Sequence, residues 1–483
     1  MIHVQLNTDE YEYDIHSLVK AFYPKERVIF QEEQARPNEV ISFSLAIRIM
    51  PDTMEVEGQV YEIDTTNRSV ARNTIKKALY CYLSKRTNKT LPWGTLTGVR
   101  PTKRPMEIIR QGGTGIQAIE DMEKMYYTSR QKASLATRVA AREISLLDKL
   151  PLERSYSLYI GIPFCPTRCL YCSFTSYPIG AWQEQLEEYL DCLEKELRYI
   201  AEKMKDFRLL TIYMGGGTPT TLSAGQLDRV LSVVEDAFDL SAVTEICVEA
   251  GRPDSITRDK LETLKRHHVG RISINPQTMQ QKTLDLIGRK HTVKQVVESF
   301  QLARLVGFDD INMDLIVGLM DETPSDMEDT LSQIAQLKPD GLTVHSLAIK
   351  RAARFNTDKE AYEDITCYNS EGIMQMTMDA AAQMGLWPYY MYRQKNMAGN
   401  MENVGYCSEG HEGIYNILMM EDVHSILAAG AGAISKMILG EGRISRAANV
   451  KDVTTYLNRI DDMIEKKGKA ISLLMAACNM EES

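Results

Sequence analysis

Three cysteines, Cys165, Cys169 and Cys172, stand in the stretch "FCPTRCLYC" with the spacing C-x3-C-x2-C. Thiols this close can bind a metal or exchange a disulfide, and their number discriminates between the two. A closed zinc site takes four ligands; the next histidines, His267 and His268, lie far downstream with no knuckle between. A redox pair uses two cysteines and leaves the third without a role. A cubane iron–sulfur cluster ordinarily takes four thiolates, so three leave one iron open. That corner can chelate an amine and a carboxylate together, which the methionine end of S-adenosylmethionine provides. Reduction of such a centre can send an electron into the sulfonium and release an adenosyl radical, with the protein supplying binding, orientation and protection. The other six cysteines, Cys81, Cys192, Cys247, Cys367, Cys407 and Cys478, are scattered singly and read as reduced, mostly buried thiols.

The loop needs a scaffold, and the flanking pattern supplies one. From residue 157 onward short apolar, β-branched runs alternate with helical stretches: "LYIGI" (158–162), "LLTIYM" (209–214), "EICVEA" (245–250), "RISIN" (271–275), "INMDLIVG" (311–318) and "LTVHSL" (342–347). Strands joined by helices mean a parallel sheet. Six units are too few for a closed eight-stranded barrel, so a partial barrel or an open doubly wound sheet is expected, with chemistry at the strands' C-terminal ends. The cysteines directly follow the first strand. Between the first two strands the stripe Trp182, Leu186, Tyr189, Leu190, Leu193, Leu197 and Ile200 has helical spacing and faces a core. Residues 1 to about 90 read as a small α+β unit, 91–105 as an ordered connector and 115–148 as helix. The residues after 350 read as a separate C-terminal domain. "AAGAGAISK" (428–436) lacks the full dinucleotide fingerprint and reads as a loop or helix start.

At 483 residues the chain exceeds one core and predicts two or three units. Hydrophobic residues make up 44% and charged residues 25%, an ordinary globular balance. The net charge of -10 argues against nucleic-acid binding and attraction to anionic membrane. No apolar run is long enough to span a bilayer. The start has neither a basic nor an apolar leader region, so a cytoplasmic location is expected.

The flanking residues carry a resemblance. C-x3-C-x2-C with Tyr171 before the third cysteine resembles the radical S-adenosylmethionine superfamily. "YIGIPFCPTRCLYCSF", "YMGGGTPTTL", "VEAGRPDSIT", "SINPQTM", "IGRKHT" and "INMDLIVGL", in that order, resemble its HemN-like branch of oxygen-independent coproporphyrinogen III dehydrogenases. The connector "LPWGTLTGVRPTK" and the later "YYMYRQKNMAGNMENVGY" are most similar to the HemZ subgroup. The resemblance implies an α/β fold: a partial (β/α)6 radical-SAM barrel with an N-terminal α+β accessory domain and a C-terminal HemN-like domain. The expected boundaries are 1–110 for the accessory domain and connector, 111–150 for a helical linker, 151–350 for the core and 351–483 for the last domain. It also implies that Cys165, Cys169 and Cys172 hold a 4Fe-4S cluster and that Tyr159 lies beside S-adenosylmethionine. By the same resemblance Gly216, Gly217 and Thr218 meet the methionine amino end, Arg289 its carboxylate, and Glu249, Gln277 and Asp314 the nucleoside and methionine. Glu249 and Asp314 also stand out unaided, as acids inside apolar runs, where an unpaired charge is expensive.

Two departures bear on the substrate. Gly161 stands where many relatives have a histidine, and Phe174 where the dehydrogenases tend to have a fourth cysteine. The first expectation is oxidative decarboxylation of coproporphyrinogen III to protoporphyrinogen IX. The alternatives are a haem-binding chaperone and radical methyl transfer or ring opening of a tetrapyrrole. A tetracarboxylate would need cations, for which Arg351, Arg354, Arg393 and Lys395 are candidates; a chaperone would need an axial ligand, for which His345, His411 and His424 are candidates. No flavin or ferredoxin domain is legible, so an external low-potential electron donor is expected.

Overall fold

The computed structural model describes residues 1–30, 41–348, 367–394, 400–440 and 442–481. The chain divides into two compact units, one of Met1–Ile144 with Met391–Glu402, the other of Ser145–Tyr390 with Asn403–Ser483. This division does not fall at 110, 150 or 350.

In the first unit five strands, β1 (Ile2–Leu6), β2 (Val28–Phe30), β3 (Phe43–Ile49), β4 (Thr53–Val56) and β5 (Gln59–Glu62), form a sheet in the order β2-β1-β3-β4-β5. Helices Glu12–Phe22 and Arg68–Thr87 share a core with it that includes Ile2, Val4, Ile15, Leu18, Leu45 and Leu79. The connector is anchored by Trp93, fully buried, whose Nε1 donates to Glu402 Oε2 at 2.7 Å; Lys132 Nζ donates to the other carboxylate oxygen at 2.6 Å.

The second unit is built on an eleven-stranded sheet. Its parallel strands are β6 (Ser155–Ile162), β9 (Arg208–Gly216), β10 (Glu245–Gly251), β11 (Arg271–Gln277), β12 (Asp310–Val317) and β13 (Gly341–Ser346), the six expected; the two-residue strands β7 (Phe164–Cys165) and β8 (Tyr177–Pro178) pair beside the cysteine loop. A seventh parallel strand, β16 (Ser425–Ala429), pairs with β6. Strands β14 (Trp387–Tyr392) and β15 (Asn403–Cys407) extend the β13 edge, and β17 (Ile434–Ile438) and β18 (Ile444–Ala448) the other. Thus "AAGAGAISK" is strand, turn and strand: Gly430 and Gly432 take positive φ (105° and 74°) at the turn, which a glycine allows at no steric cost.

Register explains the shape. Ser157, Tyr159, Thr211, Tyr213, Glu245, Cys247, Glu249, Arg271, Ser273, Asn312, Asp314, Thr343 and His345 fall in register on one face. Leu158, Ile160, Ile212, Met214, Val248, Ile272, Ile274, Met313, Leu315 and Val344 fall on the other. The apolar face is buried beneath helices such as Leu186–Met204, Ala224–Ala237, Val293–Val306 and Pro324–Leu337, the last three begun by capping boxes on Ser223, Thr292 and Thr323. The polar face lines the inside of the curved sheet. Its lower end is filled by Arg271, whose Nη1 donates to Asp310 Oδ1 (2.6 Å) and to the His411 carbonyl (2.8 Å), and by Glu245, which accepts from the backbone of Ile414 and Tyr415. Among the described residues no helix is long and apolar enough to cross a membrane.

Candidate active site

The cysteine loop begins at the C-terminal end of β6 and is held from both sides. Gly217 N donates to the Ile162 carbonyl and Thr218 N to the Phe164 carbonyl, each at 2.7 Å. A Cβ on Gly217 would come within 2.5 Å of the Phe164 oxygen, so this approach of two backbones requires glycine. Thr218 Oγ1 donates to Cys165 Sγ at 3.5 Å, and Arg289 Nη1 lies 3.9 Å from Cys169 Sγ and 3.2 Å from the Tyr171 hydroxyl. Burial pushes the Cys165 thiol up to about 11, with Thr218 opposing, and burial also raises Cys172 against the backbone N–H of Phe174 and the side chain of Ser176. Thiols so placed stay protonated until a cation displaces the proton.

At the loop's mouth the inner face becomes fully polar. Glu249 accepts from the Tyr213 hydroxyl at 2.5 Å and from Gly216 N. Tyr159, Tyr213 and Tyr415 stack in series, with centroids 6.2 Å and 4.5 Å apart across Tyr213. Asp314 Oδ1 accepts from Asn312 Nδ2 at 2.8 Å, and His345 Nε2 lies 3.7 Å from Asp314 Oδ2. Although burial pushes Asp314 up, the hydrogen bonds and charge of His345, with Asn312 and Thr343, bring its carboxyl below the usual value. Gln277 closes β11 with φ 69°, a left-handed conformation unusual for its type.

Of the residues that the resemblance implies, Tyr159, Glu249 and Asp314 fall on the inner face, Gly216, Gly217 and Thr218 at the end of β9, Gln277 at the end of β11 with Arg289 beyond it, and the three cysteines in the loop after β6. The donor set suits an iron–sulfur cluster better than a single ion. Among the described residues no three His, Cys, Asp or Glu side chains form a group that could hold a single metal ion. A cluster instead offers a separate iron to each thiolate, and these three thiols are one short of closing it. Beside them Gln277 Oε1, Asn275 Oδ1 and Arg289 Nε are buried polar atoms with no hydrogen-bond partner among the described residues. Buried groups are seldom left so, and these fit the polar ends of a bound cofactor.

Arg393 is no free cation: it is buried, donates to the carbonyls of Leu96 and Asn400, and its guanidinium lies 5.3 Å from the Trp93 ring, all within the first unit. Arg351, Arg354 and Lys395 lie outside the described residues. His424 and His411 sit at the strands' lower end, away from the loop; His424 Nδ1 meets Ser155 Oγ at 3.4 Å and burial holds its ring down at about 4, while His411 Nδ1 meets Ser408 Oγ at 2.9 Å. Gly161 lies against the 430 turn, where a Cβ would meet the Ala429 oxygen at 3.2 Å. The Phe174 side chain is exposed. Arg252, Tyr213 and Tyr415 are additions that the motifs did not assign. Arg252 and Tyr213 both stand inside quoted motifs, whereas nothing in the sequence signals Tyr415.

Burial, with Asp314 as a secondary cause, lifts Glu249 to about 7 despite the Tyr213 hydrogen bond. A carboxyl whose folded pKa exceeds its unfolded value near 4.5 adds stability below 4.5 and loses it as pH rises through 7. Buried His424 and His291, both pushed down, act in the opposite sense. The expected result is therefore a difference: wild type minus Glu249→Gln should fall by on the order of 2 kcal/mol between pH 5 and 8. Urea midpoints at the two pH values check it, and a constant difference would contradict it.

A family model described as the Radical SAM superfamily matches residues 159–334. A Bacillus subtilis (strain 168) protein described as oxygen-independent coproporphyrinogen-III oxidase-like protein HemZ is 36% identical over 487 residues, covering 96% of this chain and 96% of that one. The heme chaperone HemW of the same organism is 37% identical over 195 residues, 40% of this chain and 51% of that one. In structure, the coproporphyrinogen III oxidase HemN of Escherichia coli superposes with a TM-score of 0.53 at 24% identity, over 66% of this chain and 73% of that one. That superposition shows the fold, the partial barrel of a radical SAM enzyme. With a relative this similar along nearly the whole chain, and with the cysteine loop seated on such a barrel, the protein belongs to the HemN-like branch of the radical S-adenosylmethionine superfamily, in the HemZ group.

Proposed function

We propose that the protein is an oxygen-independent coproporphyrinogen III dehydrogenase. The observation that carries this reading is the three-thiol loop at the mouth of a polar-lined barrel, beside buried atoms of Gln277, Asn275 and Arg289 that have no partner among the described residues. When bound, a reduced 4Fe-4S cluster supplies the electron that splits S-adenosylmethionine into methionine and an adenosyl radical. In this reading Cys165, Cys169 and Cys172 hold the irons. Gly216, Gly217 and Thr218 bring backbone to the cofactor's amino end, and Arg289 binds its carboxylate. Glu249, Gln277 and Asp314 orient the nucleoside, and Tyr159 packs beside it. The barrel wall keeps water from the reacting carbon. In each turnover one propionate loses a β-hydrogen atom, then carbon dioxide and one electron, leaving a vinyl group; the electron leaves to an acceptor outside the chain. Two turnovers convert coproporphyrinogen III to protoporphyrinogen IX. An external low-potential donor supplies the reducing electron.

The test is anaerobic: reconstituted protein with reductant and S-adenosylmethionine, given coproporphyrinogen III or haem. Substrate-dependent 5′-deoxyadenosine with protoporphyrinogen IX is the expected result. Stable haem binding without decarboxylation would replace this reading with a chaperone.

A further inference from the structure

Arg252 is a buried guanidinium for which the cofactor chemistry above has no use. It stands just beyond β10 and is 3% exposed. Its Nε and Nη2 donate to the two oxygens of Asp254 at 2.9 and 2.6 Å, a bidentate fork that fixes the plane of the group. Its remaining nitrogen, Nη1, reaches across to the cysteine loop and donates to Thr167 Oγ1 at 2.6 Å and to the Thr167 carbonyl at 3.2 Å. Thr167 lies between Cys165 and Cys169. Its hydroxyl passes the restraint on, donating to the Gly288 carbonyl at 3.1 Å, and Leu170 N donates to the Ile287 carbonyl at 3.0 Å. The segments after β10 and β11 thus grip the cysteine loop between Cys165 and Leu170, the first through the Arg252 side chain and the second through the Gly288 and Ile287 carbonyls.

We infer that Arg252 is a positioning residue for the iron–sulfur site, acting in two ways through its contact with Thr167. It holds the cysteine loop in the ligating conformation, and it keeps on that loop a guanidinium that offsets the Asp254 carboxylate. The inference rests on the cluster assignment made above. Its physical content is separable. The fork geometry belongs to arginine alone, whereas the charge is shared with lysine. A loop held before the metal arrives spends less of the binding energy on ordering. A cation held on that loop favours the reduced form of a centre that gains an electron, so its removal makes reduction harder.

The experiment compares full-length wild type, Arg252→Gln, Arg252→Lys and Thr167→Val after anaerobic reconstitution with ferrous iron and sulfide. It reads iron retained per chain after desalting and the midpoint potential by EPR-monitored titration. Arg252→Gln should lose about tenfold or more in cluster retention, and the part that loads should titrate at a more negative potential. Arg252→Lys should restore the potential but not the retention. Thr167→Val leaves the Arg252–Asp254 pair intact and should lower retention alone; it decides the matter if Arg252→Gln does not fold. Wild-type retention and potential in both Arg252→Gln and Thr167→Val would overturn the inference while leaving the cluster in place. A wild-type chain that holds no cluster would instead remove the function reading, and this inference with it.

Discussion

Cys169→Ala should abolish the visible absorbance of the reconstituted protein and its reductive cleavage of S-adenosylmethionine. Cys169 is the most buried of the three loop thiols; its carbonyl accepts from Cys172 N at 3.2 Å, so it also sits at the turn that brings the third thiol round. Removing it leaves two loop thiolates, Cys165 and Cys172, and Arg289 with no Cys169 sulfur opposite. Two protein ligands fall short of the three or four that such clusters use, and the loss should be complete rather than graded. Cys192→Ala is the matched control. That thiol lies on the Leu186–Met204 helix with its sulfur 3.9 Å from the Leu457 carbonyl, and its loss should leave both readouts unchanged. Iron content, absorbance and 5′-deoxyadenosine released per chain measure the pair. A Cys169→Ala protein that still cleaves the cofactor would end the assignment.

Glu196→Ala should cost about 3–5 kcal/mol of folding stability, because it leaves a buried ammonium uncompensated. Glu196 is fully buried on the same helix and saturated. Oε1 accepts from Lys467 Nζ (2.6 Å) and Asn449 Nδ2 (2.7 Å); Oε2 accepts from Gly430 N (2.8 Å) and the Tyr456 hydroxyl (2.7 Å). Lys467 is 1% exposed and also donates to the Ala428 carbonyl. These bonds tie the seventh parallel strand and its glycine turn to the helix that follows the cysteine loop. Gly430 in turn lies against Gly161, so the fastening bears on the strand that presents the cysteines. Adding Lys467→Met to Glu196→Ala should return a substantial part of the loss, since it removes the stranded charge. Urea unfolding of the two variants gives the answer; a Glu196→Ala protein within about 1 kcal/mol of wild type would contradict it.

The alternation of the core strands shows how much was already legible. In "EICVEA", "RISIN" and "INMDLI" the polar residues Glu245, Glu249, Arg271, Ser273, Asn275, Asn312 and Asp314 all fall on the same alternate positions, which is the period of a strand with two unlike faces. Parallel strands covered by helices on both sides usually read as continuous apolar runs; the acids at Glu249 and Asp314 stand out against that pattern as charges that need partners, and the register puts them together on the inner face. The loop thiols, the glycine turn after β9 and the six strands are all local patterns, and local patterns survive in a linear string because neighbours in sequence create them.

Other features come from residues far apart. Tyr415 has no motif, yet it stacks on Tyr213 because the segment 408–421 enters the lower barrel under Glu245 and Arg271. The seventh parallel strand was hidden in a glycine-rich string, since its pairing with β6 joins residues more than two hundred positions apart. Arg393 looked like a substrate cation and is instead buried against Trp93.

The sequence by itself determined the chemistry the chain can attempt and the type of element that carries it, because ligand spacing and strand period are written within a few residues. Only the tertiary structure decided which polar side chains share the inner face, which are already consumed by partners, and that Arg252 grips the cysteine loop. The physical reason is that burial and hydrogen bonding are settled by long-range pairing, and a side chain's identity does not specify whom it will meet.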